Sequence, residues 1–339
     1  MKIIKNKKIL IPLIIVGIIV IFMGTINIIP PKKVMEDNPF IVEKGSRPLI
    51  AAHRGGKNLR PENTLLAIDY SYENYNVDII EIDLYLTKDN YLILNHNSTI
   101  NACTEIKGEE KYYIKDHTLE EIRKFNFGYN FKDKDGNYPY RHILDGVSDE
   151  DKSIVLLENK LRVVTTTELF EKYASTDVMY IIEIKDSGER GITAADLLVS
   201  QMEQYGLTKK VAVGTYNDEV EEYLSVKYPN IIRGASFGVA KSFIITQMVG
   251  LNLFDSSSFS CLQIPTDYDF KDVINLNLAK KTYINRAHRR GISVQYWTIN
   301  DREEMIELIK LGVDVIMTDN PDVLYEVLVE MGYIENDAR

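Results

Sequence analysis

Short β-rich runs separated by helical patterns recur along most of this 339-residue chain. Between most neighbouring runs, apolar residues follow the spacing of an amphipathic helix. This alternation indicates a parallel sheet whose strands are joined by helices, and we expect a single α/β domain in the form of a (β/α)8 TIM barrel. The β-rich runs are Leu49–His53, Ile79–Leu86, Tyr91–His96, Val178–Ile184, Val211–Thr215, Ile231–Phe237, Cys261–Ile264, Ser293–Thr298 and Val313–Thr318.

The second and third runs, Ile79–Leu86 and Tyr91–His96, are separated by only four residues. Four residues are too few for a parallel crossover, so these runs predict an antiparallel hairpin. Removing the returning strand from the nine runs leaves the eight strands that a barrel needs. The polar stretch 97–160 follows the hairpin, and we expect it to form a small insertion over one mouth of the barrel.

Helix-capping residues appear near the C-terminus. The pattern predicts a helix over 302–311, with Asn300 or Asp301 as its N-cap and Gly312 as its end. Asn320, followed by proline, opens the last helix in the same way. We therefore interpret Asn300, Asp319 and Asn320 as helix caps and not as catalytic residues.

The N-terminus contains four lysines within residues 1–8, followed by 21 residues without a charge in Ile9–Ile29. As a helix, this run would reach about 31 Å, close to the thickness of a bilayer's hydrocarbon core. A buried core helix and a cleaved signal peptide are the alternatives, but no alanine precedes Ala51 to form an A-x-A cleavage site. We expect a cytoplasmic segment 1–8, a transmembrane anchor 9–29, a stalk 30–47, an extracellular domain 48–330 and a tail 331–339.

Charge and cysteine content exclude several classes of protein. The chain has 40 basic and 50 acidic residues, and the first 31 residues contain four lysines and no acid, so the remainder carries a net charge of −14. Such a domain is a poor candidate for binding nucleic acid. Two cysteines, Cys103 and Cys261, exclude a disulfide scaffold and a Cys-rich zinc module, and we expect both thiols to be free.

Ionisable residues gather near the ends of the predicted strands. Glu81 and Asp83 share one face of the second strand because side chains alternate along a strand. The hairpin places Asp83 opposite Asn95 or His96. In a barrel, the carboxyl ends of the strands meet at one mouth, where active sites are built. The residues expected there are His53, Arg54, Glu81, Asp83, His96, Glu183 and Lys185.

Each of these residues alone could have an ordinary structural role. Glu183 and Lys185, for example, could simply neutralise each other. Together, however, three acids on otherwise apolar strands are costly to bury unless a cation lies among them. Oxygen ligands favour Ca²⁺ or Mg²⁺ over zinc. A hard cation beside an arginine and a lysine, with two histidines to move protons, suits phosphodiester chemistry. The sequence contains neither a P-loop nor a G-x-G-x-x-G motif, so no nucleotide is expected.

These motifs, in this order, resemble those of the glycerophosphodiester phosphodiesterase family over about residues 48–330. The similarity includes His53-Arg54-Gly55, Pro61-Glu62-Asn63-Thr64, Glu81-x-Asp83, His96, Glu183-x-Lys185, Gln295-Tyr296-Trp297-Thr298-Ile299-Asn300-Asp301, Gly312-Val313-Asp314 and Thr318-Asp319-Asn320-Pro321.

The resemblance implies a TIM barrel with an insertion after its second strand. It also implies metal-dependent cleavage of a glycerophosphodiester to glycerol 3-phosphate and an alcohol. By position, Glu81, Asp83 and Glu183 would bind the metal, His53 and His96 would be the acid–base pair, and Arg54 and Lys185 would hold the phosphate. Glu62 would support the site or contact glycerol, or else be a first-turn acid of the helix after Pro61. Trp297 would form an aromatic wall facing the substrate.

Two departures from the family pattern stand out. Asn97 follows His96, where the family commonly has Asp, which removes a charge from the site. Thr215-Tyr216 stands where a Ser-Phe pair is usual, a conservative change.

Three functions remain open. The first is hydrolysis of glycerophosphodiesters outside the cytoplasmic membrane, with deacylated phospholipid headgroups as the expected substrates and glycerol-phosphate polymer fragments of a cell wall as an alternative. Either water or the substrate's own hydroxyl would be the nucleophile. The second is a lysophospholipase-D-like activity on lysolipids, which apolar walls in the insertion would favour. The third is a binding protein on a decayed barrel, although decay should remove acids and histidines first and all of them are present.

Overall fold

The strands and helices alternate as the sequence predicts, and the computed structural model describes them over residues 7–108, 110–270 and 274–335. Residues 1–6 and 336–339, in the predicted cytoplasmic segment and C-terminal tail, lie outside this description. The strands are β1 (Leu49–Ala52), β2 (Ile79–Leu86), β3 (Leu92–Leu94), β4 (Met179–Ile184), β5 (Val211–Gly214), β6 (Ile232–Arg233), β7 (Cys261–Ile264), β8 (Asp267–Phe270), β9 (Ile274–Asn277), β10 (Ser293–Tyr296) and β11 (Val315–Thr318). The helices are α1 (Lys7–Ile28), α2 (Leu65–Tyr75), α3 (Leu119–Ile122), α4 (Lys152–Glu158), α5 (Thr166–Tyr173), α6 (Gly188–Gln204), α7 (Asp218–Lys227), α8 (Phe237–Met248), α9 (Lys281–His288), α10 (Arg302–Leu311) and α11 (Pro321–Glu330).

Eight parallel strands form a nearly closed barrel in the order β6, β5, β4, β2, β1, β11, β10, β7. A parallel bridge between Gly234 and Cys261 joins the two ends of this order. The first and last barrel strands are neighbours, with Ala52 paired to Thr318. The predicted (β/α)8 architecture is therefore confirmed.

Two hairpins accompany the barrel. β3 returns antiparallel to β2 with Leu84 opposite Leu94, and the next residue, Asn95, donates its backbone N–H to the carbonyl of Asp83 at 3.0 Å. The predicted hairpin and its register are thus confirmed. The second hairpin, β8–β9, was not predicted. Its described residues alternate polar and apolar side chains, and the run is too polar to stand out as a barrel strand.

Side-chain alternation along β2 separates the helix-facing core from the barrel interior. Ile80 and Ile82 pack outward in the cluster under the helices, whereas Ile79 packs inside the barrel in the cluster that contains Ile181. Because side chains alternate along a strand, Glu81 and Asp83 also point inward. The barrel interior is therefore apolar near the amino ends of the strands and acidic near their carboxyl ends.

The segment that joins α1 to the barrel is packed against the amino-terminal end of the strands. Within 30–47, Asn38 donates its side-chain amide to the carbonyls of Ser260 and Gly291 at 2.8 and 3.0 Å. Phe40 is fully buried and belongs to the interior cluster. This segment closes the bottom of the barrel and ties it to α1.

Helix ends follow the predicted signals only in part. Asp301 caps α10 by accepting a hydrogen bond from the backbone of Glu304, and Gly312 ends the helix with a φ of 78°. That positive φ suits glycine, which lacks a Cβ. At α11, Asn320 occupies the N-cap position without a capping hydrogen bond from its side chain.

The insertion between β3 and α5 has a small core of its own, to which Ile100, Ile114 and Phe127 contribute. Tyr112 stacks on His117 and meets the edge of Phe125, so these aromatic rings pack within the insertion. The two cysteines are free, as predicted, and both are buried.

Within the described residues, one helical stretch, Leu10–Ile28, is long and apolar enough to cross a membrane, with a mean hydropathy of 2.6. A span and a signal sequence both have this character. Most of its large apolar side chains are exposed.

Candidate active site

The ionisable residues singled out in the sequence meet at the carboxyl ends of the barrel strands. His53 follows β1 in a short 3-10 turn. Asp83 in β2 is paired in register with Glu183 in β4. Lys185 follows β4 directly and reaches Asp83 and Glu183 at 3.3 and 2.9 Å. Closing the barrel is what brings these separate strand ends to one mouth.

His53 is held by a residue that the sequence interpretation assigned to a different role. Its Nδ1 lies 2.5 Å from Oδ1 of Asp319, and its Nε2 lies 4.0 Å from Oε2 of Glu81. Asp319 also accepts a hydrogen bond from the Asn300 amide at 2.8 Å and lies 3.3 Å from Lys57. The interpretation of Asn300 and Asp319 as helix caps is wrong, because the N-caps of α10 and α11 are Asp301, the alternative predicted for α10, and Asn320. The side chains of Asn300 and Asp319 lie instead at the barrel mouth.

The signal that could have revealed Asp319 is strand adjacency. Thr318 ends β11 beside Ala52 at the end of β1, so the next residue of each strand, Asp319 and His53, follows at the same level. Burial opposes ionisation of Asp319, but its hydrogen bonds to His53 and Asn300 outweigh burial and lower its pKa. The ionised carboxylate favours a proton on Nδ1 of His53, and Nε2 then faces the site.

His96 lies two residues beyond β3, half-buried at the same mouth. Its Nδ1 lies 3.1 Å from Oδ1 of Asn97, so the residue that departs from the family pattern contacts the histidine directly. The pKa of His96 is lowered from its ordinary value, chiefly because burial disfavours the charged imidazolium. Asn95 supports this turn by donating its amide to the carbonyls of Asn97 and Thr99.

The three acids are close enough to perturb one another. Glu81 and Asp83 are 4% and 1% exposed. The pKa of Glu81 is raised well above its ordinary value by burial and by the charge of Asp83, and burial raises the pKa of Glu183. For Glu81 and Glu183, the neighbouring basic groups therefore do not fully offset the cost of burying the charge.

The acids are compatible with a hard divalent cation. One oxygen of Asp83, Oδ2, is buried without a hydrogen-bond partner. All three side chains offer oxygen ligands, as Ca²⁺ and Mg²⁺ prefer. Within the described ranges, however, no three His, Cys, Asp or Glu side chains are arranged around a common metal position. Instead, the backbone N–H of Arg54 donates to Glu81 at 2.8 Å, and the ammonium of Lys185 lies between Asp83 and Glu183.

Arg54 connects the acids to Glu62. Its guanidinium lies 3.1 Å from Glu62 and 3.5 Å from Asp83. Since α2 begins at Leu65 with Thr64 as its N-cap, Glu62 precedes the helix. The alternative that Glu62 is a first-turn acid of the helix is therefore wrong, and this carboxylate orients Arg54 at the mouth.

Two aromatic rings border the mouth. Tyr216, which follows β5, meets the half-buried Trp297 edge to face, with ring centroids 6.3 Å apart. The ammonium of Lys185 lies 5.6 Å from the Tyr216 ring. Tyr216 thus belongs to the same aromatic wall as Trp297. From the sequence, Tyr216 was interpreted only as part of a conservative change from the family pattern.

The other histidines lie elsewhere. His288 pairs with Asp314 at 2.8 Å near the amino ends of the strands. His117 packs on Tyr112 in the insertion, and His142 is exposed.

Comparisons with known proteins agree with this arrangement. The model of the Glycerophosphoryl diester phosphodiesterase family matches residues 53–227 and 266–323. A glycerophosphodiester phosphodiesterase from Caldanaerobacter subterraneus subsp. tengcongensis is 25% identical over 284 residues, which cover 84% of this chain and 99% of that protein. A mouse protein named lysophospholipase D is 21% identical over 297 residues, covering 82% of this chain and 81% of that protein.

The fold is also similar to a solved phosphodiesterase from Oleispira antarctica in complex with the product sn-glycerol-3-phosphate. That structure has a TM-score of 0.58 and 18% identity, with 83% of this chain and 97% of that chain covered. The family model matches more than half of this chain, and the matched ranges contain every residue of the mouth described above. The chain therefore belongs to the glycerophosphoryl diester phosphodiesterase family, a family of phosphoric diester hydrolases.

Proposed function

We propose that this protein hydrolyses small glycerophosphodiesters to glycerol 3-phosphate and an alcohol, with a divalent cation as cofactor. The observation that carries the proposal is the convergence of three acids, two histidines, Arg54 and Lys185 at one barrel mouth. Family membership supports the reaction class. The roles of individual residues are our inference from their contacts.

His53 is proposed as the proton acceptor. Asp319 accepts the Nδ1 proton, which leaves the Nε2 lone pair toward the site. When Nε2 takes the proton of the attacking hydroxyl, the Asp319 carboxylate stabilises the imidazolium that forms. Asp319 is thus a positioning residue, because it acts on the reaction through His53.

His96 is proposed as the proton donor. Its lowered pKa makes its imidazolium a readier acid, and Asn97, which contacts Nδ1, adds no negative charge at that position. As the bond between phosphorus and the leaving oxygen breaks, His96 would give its proton to that oxygen. The proton taken up by His53 and the proton released by His96 balance over one turnover. Arg54 and Lys185 would hold the phosphate oxygens.

Glu81, Asp83 and Glu183 would hold the cation, Ca²⁺ or Mg²⁺. Bound there, it would neutralise charge on the phosphoryl oxygens. The Asp83 oxygen without a hydrogen bond and the raised pKa values of Glu81 and Glu183 support this assignment, since a cation would relieve the repulsion among the three carboxylates. Trp297 with Tyr216 would line the substrate side of the mouth.

We also propose that α1 anchors the protein as a single span over residues 9–29, with 1–8 in the cytoplasm. The packed connection 30–47, the catalytic domain 48–330 and the tail 331–339 would then lie outside the cell. The apolar stretch Leu10–Ile28 and the preceding lysines support this topology.

Hydrolysis of a lysolipid is the second candidate, supported by the mouse relative named lysophospholipase D. The insertion gives it little support, because Tyr112, Phe125 and Phe127 pack within the insertion's own core. Phe127 is buried there, and the half-buried rings of Tyr112 and Phe125 pack against each other.

The test is release of glycerol 3-phosphate from several glycerophosphodiesters by the full chain in detergent, with Ca²⁺ or Mg²⁺ and then with chelator. We expect release that requires metal and is lost in His53→Ala. The matched control is His142→Ala, which removes an exposed histidine of the insertion and should leave release unchanged. Absence of release from every headgroup by the folded, metal-loaded protein would reject the proposed reaction.

A further inference from the structure

The apolar helix α1 is attached to the barrel through the loop that follows α8. The amide of Asn27 donates to the carbonyl of Gly250 at 3.0 Å. Phe22 stacks on Phe254, with ring centroids 6.4 Å apart and planes 19° apart. The end of α1 therefore has a defined position on the domain.

Basic side chains reinforce this attachment. Arg289 donates to the carbonyls of Asn27 at 2.6 Å and Ile29 at 2.8 Å, where the backbone carbonyls at the end of α1 lack helical partners. Arg286 donates to the side-chain oxygen of Asn27 at 3.3 Å. Earlier in the helix, the large apolar side chains from Ile11 to Ile21 are exposed, so this part of α1 extends free of the barrel.

The attachment lies at the end of the barrel opposite the active site. Gly250 and Phe254 belong to the connection that leads into β7, and Arg289 to the connection that leads into β10. In a parallel barrel, these helix-to-strand connections lie at the amino ends of the strands. His53 and Asp319 follow the carboxyl ends of β1 and β11.

An exposed apolar surface surrounds the attachment. We define the basal patch as Ile245, Met248, Val249 and Phe254, which are between 50% and 60% exposed. The chain has no charged residue from Ser242 to Phe254, although 27% of its residues are charged overall. A cluster of exposed large apolar side chains next to an apolar helix is characteristic of a surface that contacts lipid or protein.

We propose that the basal patch lies in the surface of the lipid bilayer that α1 spans, so that the active-site mouth faces away from the membrane. This inference rests on the span proposed above. Phe254 packs beside Phe22, six residues before the end of α1. At 1.5 Å per residue, a helix crossing the membrane would place this ring about 9 Å below the level of Ile28. Phe254 would then be within the bilayer together with the helix.

This orientation selects a class of substrate. A mouth directed away from the bilayer receives diesters dissolved in water, such as deacylated phospholipid headgroups. A lysolipid held in the same bilayer would have to leave it to reach His53 and His96. The tether would thus keep the enzyme at the membrane while it acts on soluble molecules.

The opposite orientation, with the active-site mouth against the bilayer, would place a different residue in contact with lipid. Phe237, which begins α8 near the mouth, is 52% exposed and packs against Tyr268. Met248 ends the same helix in the basal patch. The two ends of α8 are about 18 Å apart by helix length. If the mouth faced the bilayer, Phe237 and not Phe254 would contact lipid.

The experiment uses the full chain in phosphatidylcholine vesicles that contain lipids with nitroxide groups on their acyl chains. An environment-sensitive fluorophore is attached to Phe254→Cys, to Val249→Cys or, as the matched control, to Phe237→Cys. Both native cysteines are buried, which limits labelling to the new thiol. We expect strong quenching at positions 254 and 249 and none at 237. Quenching at 237 with none at 254 and 249 would overturn the proposal, as would the absence of quenching at all three.

A second measurement separates this inference from the proposed reaction. The unlabelled chain in the same vesicles is given soluble glycerophosphocholine or membrane-held lysophosphatidylcholine. We expect hydrolysis of the first and little of the second. Quenching at 254 without hydrolysis of either would keep the orientation and reject the proposed function. Efficient hydrolysis of the membrane-held lysolipid together with quenching at 237 would reject the orientation.

Discussion

Nδ1 of His53 lies 2.5 Å from a carboxylate oxygen of Asp319, a residue 266 positions later in the chain. Because this carboxylate fixes the proton on Nδ1 and stabilises the charged ring, its removal should weaken proton transfer more than substrate binding. We expect Asp319→Asn to lower kcat by about 10²- to 10⁴-fold with a smaller change in KM. Steady-state kinetics with a soluble diester measures both values.

The control for this substitution is Asp301→Asn, because Asp301 caps α10 and asparagine caps equally well. Its kinetics should match those of the wild type. An unchanged kcat in Asp319→Asn would show that Asp319 has no part in the reaction.

Asn97 offers a test of the role of His96. Aspartate at position 97 would place a negative charge near Nδ1, where the Asn97 oxygen now lies at 3.1 Å, and would raise the pKa of His96. If His96 is the proton donor, Asn97→Asp should move the alkaline limb of the pH–rate profile to higher pH. Asn159→Asp makes the same change of charge at an exposed position and should leave the profile unchanged. A shift of the acid limb instead would make His96 the proton acceptor.

Cation binding should stabilise the folded protein. A ligand that binds only the native state at 100 times its Kd adds about 2.7 kcal/mol to the free energy of unfolding. We expect Ca²⁺ or Mg²⁺ to raise the Tm of the wild type and to have little effect on Glu183→Gln. Glu189→Gln, on the exposed surface of α6, is the matched control. An equal rise of Tm in Glu183→Gln would place the cation elsewhere.

Asp69 supports the domain away from the site. It is 2% exposed, pairs with Lys160, and lies 2.5 Å from both Lys172 Nζ and the Tyr173 hydroxyl. Burial alone would raise its pKa, but these partners outweigh burial and lower it. A lowered pKa gives stability that is present above the unfolded-state pKa and is lost as pH falls through the folded-state pKa. We expect Asp69→Asn to lower the free energy of unfolding by about 1–3 kcal/mol at neutral pH, and to have little effect in strong acid. Denaturant unfolding at both pH values measures this difference.

Phe40 tests where the folded domain begins. Its ring is fully buried under the barrel, so Phe40→Ala should cost about 3–5 kcal/mol of stability. A fragment that starts at residue 32 should then be more stable than one that starts at residue 48. Equal Tm values for the two fragments would show that the segment before β1 contributes nothing.

Local sequence patterns were sufficient for most of the architecture. The β2–β3 hairpin follows from its four-residue connection, and α10 from its apolar face, Asp301 and Gly312. These features depend on residues close together in the chain, whose periodicity and turn chemistry act locally. The strands β8 and β9 were not predicted, because their sequences lack the apolar character of a barrel strand.

The sequence by itself determined the order of strands and helices, the apolar N-terminal run and the acids and histidines at strand ends. Only the tertiary structure decided that Asp319 binds His53, that Phe40 closes the barrel and that α1 is held by Arg289. The physical reason is that each of these contacts joins residues far apart in the chain. β1 and β11 become neighbours only when the barrel closes, and no local pattern specifies which strand-end side chains then face each other.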